Sequence, residues 1–506
     1  MSRPHQDAGF ARRLVVRLWL LVLGLLPTAA YADGPPPEKV ALVGGRIIPV
    51  VGEPIEGGTV LIERGRITAI GAEVKLPYDA VEIDCSGKVL FPGMIDPFNW
   101  RGLDIPNEAV AVAPYLDVYD AIDPSRSFFE ETLRNGITAV HISPDHNLVI
   151  GAVTRVMRPI GLTPEEMTLR SPVAIQMATT PRSGSDRMTQ LVELRGAFAE
   201  LDRYLAQRAE ERYAEERKRK GEEVDLPPAE AREKGRELLR DVDLDDAHRN
   251  LHRLREGAME PWLYAGTATD VASAVAIARE QGFLERATFL IQPDTIRAVG
   301  ELAASGRPVV CSDDLLLRTR DPFTGEIDEV FLPSALHAAG VPFALRPNPS
   351  GSLPERYLTY QAARCVRAGV PRGVALRAIT LHPARFLGLG DELGSLEVGK
   401  RGDVVVLSGD PLDFSSWVEE VYIDGILAYD RDRDTRLGEL LGPMAEATTS
   451  TTETAEAPAE EASGEPSPEG GDSDGGDDDR TGDPDEGGSD NGGSDEGGSD
   501  EGGERR

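Results

Sequence analysis

Residues 90–100 read Leu-Phe-Pro-Gly-Met-Ile-Asp-Pro-Phe-Asn-Trp. The run starts in an apolar, strand-like stretch, passes Pro92-Gly93, and ends on two large rings, Phe98 and Trp100, set two residues apart. In a strand, residues i and i+2 share a face. The spacing therefore predicts that both rings, together with Asp96, share one face of the strand. What that face lines depends on the chain around it.

Upstream, short Val- and Ile-rich runs punctuated by glycine (Val40 to Val50, Gly58 to Glu63, Gly65 to Ile70, Val81 to Asp84) follow the linker Pro35-Pro36-Pro37. They predict a small β domain. Its other half is read in Asp403 to Leu407 and Val418 to Tyr429, so the β domain is expected from residues 33–88 and 391–432 together. Between them, residues 89–390 alternate strand-like runs with helical ones. The strand candidates are Val89 to Phe98, Ile137 to Ile142, Val149 to Arg158, Pro172 to Met177, Trp262 to Ala265, Thr288 to Gln292, Pro308 to Ser312 and Pro342 to Arg346. Helical patterns include Ser127 to Arg134, Asp270 to Glu280, Thr295 to Ala304 and Pro354 to Ala368. Eight strands interleaved with helices predict an α/β fold, a (β/α)8 TIM-like barrel with parallel strands, carrying a small β-sandwich domain built from both chain ends. An open doubly wound sheet is the alternative, but no Gly-x-Gly-x-x-Gly follows a strand. Residues 191–257 are dense in Glu, Arg and Lys and predict two or three exposed helices inserted in the barrel, broken at Pro227-Pro228.

The ends have other characters. Arg12 and Arg13 precede the apolar run Leu14 to Leu26 and the small-residue pattern Ala30-Tyr31-Ala32. This predicts a signal peptide over residues 1–32 and export to the periplasm or the extracellular space, with no stable membrane anchor. Residues 441–506 hold 21 acidic and 3 basic side chains among Gly and Ser, and so carry −18 of the chain's −33. Such a tail has no apolar face to offset the entropy of ordering and is expected to be disordered. The remaining charge is that of an ordinary acidic protein, with no patch for nucleic acid. Cys85, Cys311 and Cys365 are odd in number and widely spaced, which predicts three buried thiols rather than a disulfide framework.

Several separate motifs, in order, resemble the amidohydrolase superfamily, in particular its imidazolonepropionase-like branch. They are Ala41 to Ile48, Gly65 to Gly71, the run Pro92-Gly93-Met94-Ile95-Asp96, Ala378 to Arg385, Gly394 to Lys400 and Asp403 to Pro411. The resemblance implies hydrolysis of non-peptide carbon–nitrogen bonds by one or two divalent ions, typically zinc, at the C-terminal mouth of the barrel. Such an ion lowers the pKa of its water to about 7. It also implies where the ligands belong, and there this chain departs. Phe98 and Trp100 replace a His-x-His pair, Arg158 replaces a lysine, Tyr264 and Gly266 replace a second His-x-His, Gln292 replaces a histidine, and Asn348 replaces the aspartate that ligates metal and shuttles protons. An amide cannot take a proton from water. The resemblance therefore predicts a metal-free, non-hydrolytic pseudoenzyme with no cofactor, retained for a ligand or a partner.

Two other readings remain open. A remodelled active hydrolase would use His141, Asp145, His146 and Asp313, which follow predicted strands, with zinc as its cofactor. A non-catalytic subunit would pair with an active amidohydrolase paralogue, or with itself as a homo-oligomer. In the barrel mouth, Phe98, Trp100 and Tyr264, with Arg158 and Arg346 nearby, either hold an anionic or aromatic small molecule or simply plug the opening. His248 and His252, at i and i+4 on a charged helix, are read as solvated, and His382 as structural.

Overall fold

Gly93 divides the run 90–100 between two sheets. Val89–Pro92 pairs antiparallel with Val404–Leu407 and parallel with Lys39–Ile47, whereas Met94–Asn99 pairs parallel with Ile137–Ile142. A side chain at residue 93 has no room, because a Cβ there would lie 2.0 Å from the Thr138 hydroxyl oxygen. The strand expected over Val89 to Phe98 is thus two strands, and the small sheet extends to Pro92 rather than ending before Val89. In this computed structural model, residues 38–348 and 357–439 are described. The expected signal peptide and acidic tail lie outside them.

The small sheet has eight strands. Its order is Ile426–Asp430, Val418–Ile423, Val404–Leu407, Val89–Pro92, Lys39–Ile47, Ile55–Glu63 and Arg66–Gly71, with Val81–Asp84 also against Lys39–Ile47. Both ends of the described chain contribute, as one continuous hydrogen-bonded sheet. Alternating apolar residues, among them Leu42, Ile62, Leu90, Val404 and Tyr422, pack into its own core.

The larger region is mixed α/β and of TIM-barrel type. A six-stranded sheet runs in the order Phe343–Leu345, Val309–Cys311, Thr288–Ile291, Glu260–Ala265, Ala174–Ala178 and Ile150–Val153. A four-stranded sheet holds Thr168–Arg170, Arg155–Met157, Ile137–Ile142 and Met94–Asn99. Thr154 joins the two, since the segment 150–157 belongs to both, and Phe343–Leu345 returns against Met94–Asn99. The strands that would line a barrel are parallel to their neighbours except at 150–157, which runs antiparallel to Ile137–Ile142 and to Ala174–Ala178. The parallel arrangement expected for every strand fails there because residues 143–149 form a short turn and no crossover helix.

Apolar spacing places some helices and a side-chain cap places others. Ser127–Arg134 buries Phe128, Phe129 and Leu133. Ala268–Glu280 begins at Thr267, whose hydroxyl accepts from the Asp270 amide while the Asp270 carboxylate accepts from the Thr267 amide. The inserted helices are Arg187–Arg219, Pro228–Arg236 and Asp246–Arg255. Gly235 lets the second approach the first so closely that a Cβ would meet the Ala209 carbonyl oxygen at 1.8 Å. The basic run 217–220 is tied into local ion pairs with Glu216, Glu222 and Asp225. Among the described residues, no helix is long and apolar enough to cross a membrane. The sequence analysis did not foresee the strand Thr168–Arg170 or an antiparallel hairpin of Leu316–Arg320 and Ile327–Phe331 with Phe323 exposed at its tip.

Candidate functional site

The C-terminal ends of the parallel strands meet in a hollow lined by Phe98, His146, Tyr264, Leu290, Gln292 and Arg346, with Cys311 and Ser312 beside them. Strand alternation brings Phe98, Tyr264 and Leu290 inward, Gln292 and Arg346 follow directly on strand ends, and His146 comes from the loop 143–149. Phe98, Tyr264, Leu290 and Val310 belong to one buried cluster that fills the interior below.

The lining is closely interlocked. The Arg346 guanidinium lies 5.1 Å over the Phe98 ring, and one of its terminal nitrogens donates to Asp313 Oδ1 at 2.9 Å. Gln292 Nε2 donates to the Tyr264 hydroxyl at 2.6 Å. The Tyr264 ring stacks on that of His146, with centroids 4.1 Å apart, and His146 Nδ1 lies 2.6 Å from Asp145 Oδ1. Burial pushes the Tyr264 phenol well above its usual range, so it stays protonated. Burial also works against ionisation of Asp145, but the hydrogen bond and charge of His146 outweigh it and hold that carboxyl below the usual range. Gly266 is close: a Cβ there would stand 3.3 Å from the Tyr264 oxygen. What these side chains leave open is roughly 20 Å³, about the space of one water. Drug-sized ligands occupy about 300–1,000 Å³. The mouth is filled by its own side chains.

Three of the residues that the resemblance assigns to this site lie elsewhere. Trp100 packs against the outer apolar layer between strands and helices. A register irregularity between Asp96 and Asn99 interrupts the i, i+2 alternation on which its expected placement rested. Arg158 follows the antiparallel segment and so emerges at the opposite end, where its Nη1 donates to Asp424 Oδ2 at 2.7 Å, beside Arg401. Asn348 lines a second small hollow with Asp96, Asn99 and Arg101. There Asp96 is fully buried, accepting from the Asn99 amide at 2.7 Å and the Phe98 N–H at 3.1 Å, and burial pushes its carboxyl up to about 7.

The four residues of the remodelled-site reading also separate. Asp145 and His146 form one pair at the hollow, and Asp313 reaches it only through Arg346. His141 lies inside the barrel, 4.5 Å from Trp262 in an edge-on contact. Its Nδ1–H donates to the Pro97 carbonyl at 2.8 Å, and its Nε2 accepts from the Thr154 hydroxyl at 2.7 Å. Burial brings its pKa down to about 4, so this ring is neutral and structural. Among the described residues, no three His, Cys, Asp or Glu side chains gather as a metal-binding group. His248, stacked on Tyr204 at 4.0 Å and held by Asp245, and His382, bonded to the Phe343 carbonyl, serve local structure. Sequence reasoning separated Tyr264 from His146 although they share one stack. It missed Thr154, a common strand residue with no signature.

The comparisons with known proteins agree with the motif reading. A model of the amidohydrolase family matches residues 285–429. Amidohydrolase tasK of Hapsidospora irregularis is 25% identical over 409 residues, 74% of this chain and 40% of that protein. The chain thus spans less than half of that relative. Imidazolonepropionase of Symbiobacterium thermophilum is 25% identical over 423 residues, 74% of this chain and 91% of its own length. The crystal structure of an amidohydrolase from Thermotoga maritima MSB8 superposes with a TM-score of 0.64 at 26% identity, covering 78% of this chain and all of that one.

Proposed function

We propose, on the premise that the chain belongs to the amidohydrolase superfamily, that it keeps the scaffold of those hydrolases, here a closed barrel with an accessory β domain, without their metal-dependent hydrolysis. Relatives are named as active hydrolases, so the proposal rests on this chain's own side chains.

The observation that carries it is the Arg346 guanidinium over Phe98, fixed by Asp313. A divalent ion needs anionic or neutral donors with free lone pairs. The lining instead offers a ring, a protonated phenol, an amide whose NH2 faces that phenol, a permanent cation and a single imidazole, His146, already held by Asp145 and stacked on the phenol ring. These groups do not fit a metal. Nor is there room for a substrate in about 20 Å³. The arrangement suits a stable plug that maintains the fold, which leaves binding to other surfaces of the protein.

Elemental analysis of the purified protein, with assays on cyclic amides and dipeptides, tests this reading. The expected result is no stoichiometric metal and no turnover above the uncatalysed rate. The Asp145 and His146 pair favours a second reading, a hydrolase with a rebuilt acid–base centre, because a carboxylate-bound imidazole beside a phenol is a proton-transfer arrangement. Hydrolysis that His146→Ala abolishes would overturn the first reading for the second.

A further inference from the structure

A space large enough for a small molecule lies far from the mouth. It is a cavity of about 420 Å³ where the helix Leu358–Arg367 faces the loop 408–417 and the last strand of the small sheet. Met94 lies in its wall. Because Met94 and Phe98 are four residues apart on one strand, the two sites are separated by about 13 Å along it.

Its walls are aromatic. Tyr357, Tyr360, Phe414, Trp417 and Tyr429 line it, over a floor that includes Leu407 and Val418. Three of these rings are unusually open for their size: Phe414 is 82% exposed, Trp417 49% and Tyr357 40%. Grouped exposed rings around a concavity mark a binding site more often than scattered ones do.

Its charges are unequally occupied. Arg134 is committed to Asp434, at 2.6 Å, and Asp434 also accepts from the Tyr429 hydroxyl at 3.2 Å. Asp413 accepts from the amide and hydroxyl of Ser415 within its own turn. Arg431 differs. Its guanidinium lies 5.1 Å over the Trp417 ring, and among the described residues it has no carboxylate partner. A flat cation already stacked on an indole keeps its N–H fork free for a bidentate anion.

We propose that this cavity is a ligand site for a planar aromatic carboxylate, its ring held among Tyr357, Tyr360 and Trp417 and its carboxylate taken by Arg431. The site does not depend on whether the mouth is catalytic, so it stands or falls separately from the reading above.

Calorimetric titration of the full chain with indole-3-carboxylate, indole and cyclohexanecarboxylate tests it. The expected result is saturable binding of indole-3-carboxylate, with a Kd below about 1 mM, and at least tenfold weaker binding of the other two. Arg431→Gln, a change at the rim, should remove the preference for indole-3-carboxylate over indole while the melting temperature stays unchanged. Equal binding of indole and its carboxylate to the unaltered protein, or an undiminished preference in Arg431→Gln, would overturn the proposal. So would absence of binding, and the proposal would then yield to a second copy if Phe414→Glu abolished a concentration-dependent self-association.

Discussion

The Arg346 guanidinium lies over the ring of Phe98 at 5.1 Å, so the centre of the strand ends holds a fixed positive charge on an aromatic face. The same group is the partner of Asp313. Arg346→Met should therefore destabilise the protein by about 1–3 kcal/mol, through the unpaired carboxylate and the lost ring contact. Urea unfolding measures it. Because Arg346 and Asp313 touch directly, the double variant Arg346→Met with Asp313→Asn should cost less than the sum of the two single changes. Strict additivity would show that the pair is not coupled.

Phe98, Tyr264 and Gln292 line one hollow with Arg346, so three histidines can be placed around it together. Replacing all three by histidine should not by itself confer zinc binding, because the guanidinium opposes a dication at short range. Adding Arg346→Ser should allow it. Elemental analysis after dialysis distinguishes the two variants, and zinc retained in the presence of Arg346 would refute the electrostatic argument.

Gly93 marks the point where the chain leaves one sheet for the other. Gly93→Ala would drive a methyl into Thr138, whose Oγ1, Cγ2 and Cβ all lie within 2.8 Å of the new atom. A loss of about 1–3 kcal/mol is expected. Combining it with Thr138→Ala should recover part of that loss, since two of the three clashing atoms are removed. A melting series of the four proteins checks the recovery.

Asp96 should leave a signature in the pH dependence of stability. Burial raises its carboxyl to about 7 in the folded state, against roughly 3.9 when unfolded. Between those values the folded protein binds more protons than the unfolded chain, so stability falls as pH rises through this window and the cost is complete above about 7. His141 acts in the opposite sense, because its pKa of about 4 lies below the unfolded value and costs stability as pH falls. Comparison with Asp96→Asn isolates the first effect. The melting temperature of the unaltered protein relative to Asp96→Asn should be higher at pH 5 than at pH 8, and a constant difference would exclude the titration.

The order of elements was legible because apolar periodicity and caps reported local structure faithfully. Ser127–Arg134 forms over the residues expected, and six of the eight strand candidates appear within one or two residues, while Val89 to Phe98 and Val149 to Arg158 are each divided between two sheets. What periodicity cannot report is direction. The pattern at 150–157 is that of any buried strand, and only the short turn before it hints that it runs backward. Reversal carried Arg158 to the far end. Alternation likewise carried Phe98 correctly inward but failed for Trp100, because a bulge follows Asp96 in a strand that is buried at every residue. The resemblance located the strand ends, and the pairing of Tyr264 with His146 required the third dimension.

The central position of Val89–Pro92, between Lys39–Ile47 and Val404–Leu407, sets the timetable of folding. During synthesis from the N-terminus, the first half of that sheet must wait for more than three hundred residues before its missing neighbour leaves the ribosome. Until then one side of Val89–Pro92 presents unpaired N–H and C=O groups. Contacts so distant in sequence make completion slow and expose the nascent chain to aggregation. A chain stopped short of Val404 would remain permanently in that unfinished state, and quality control, not chemistry, would decide its fate.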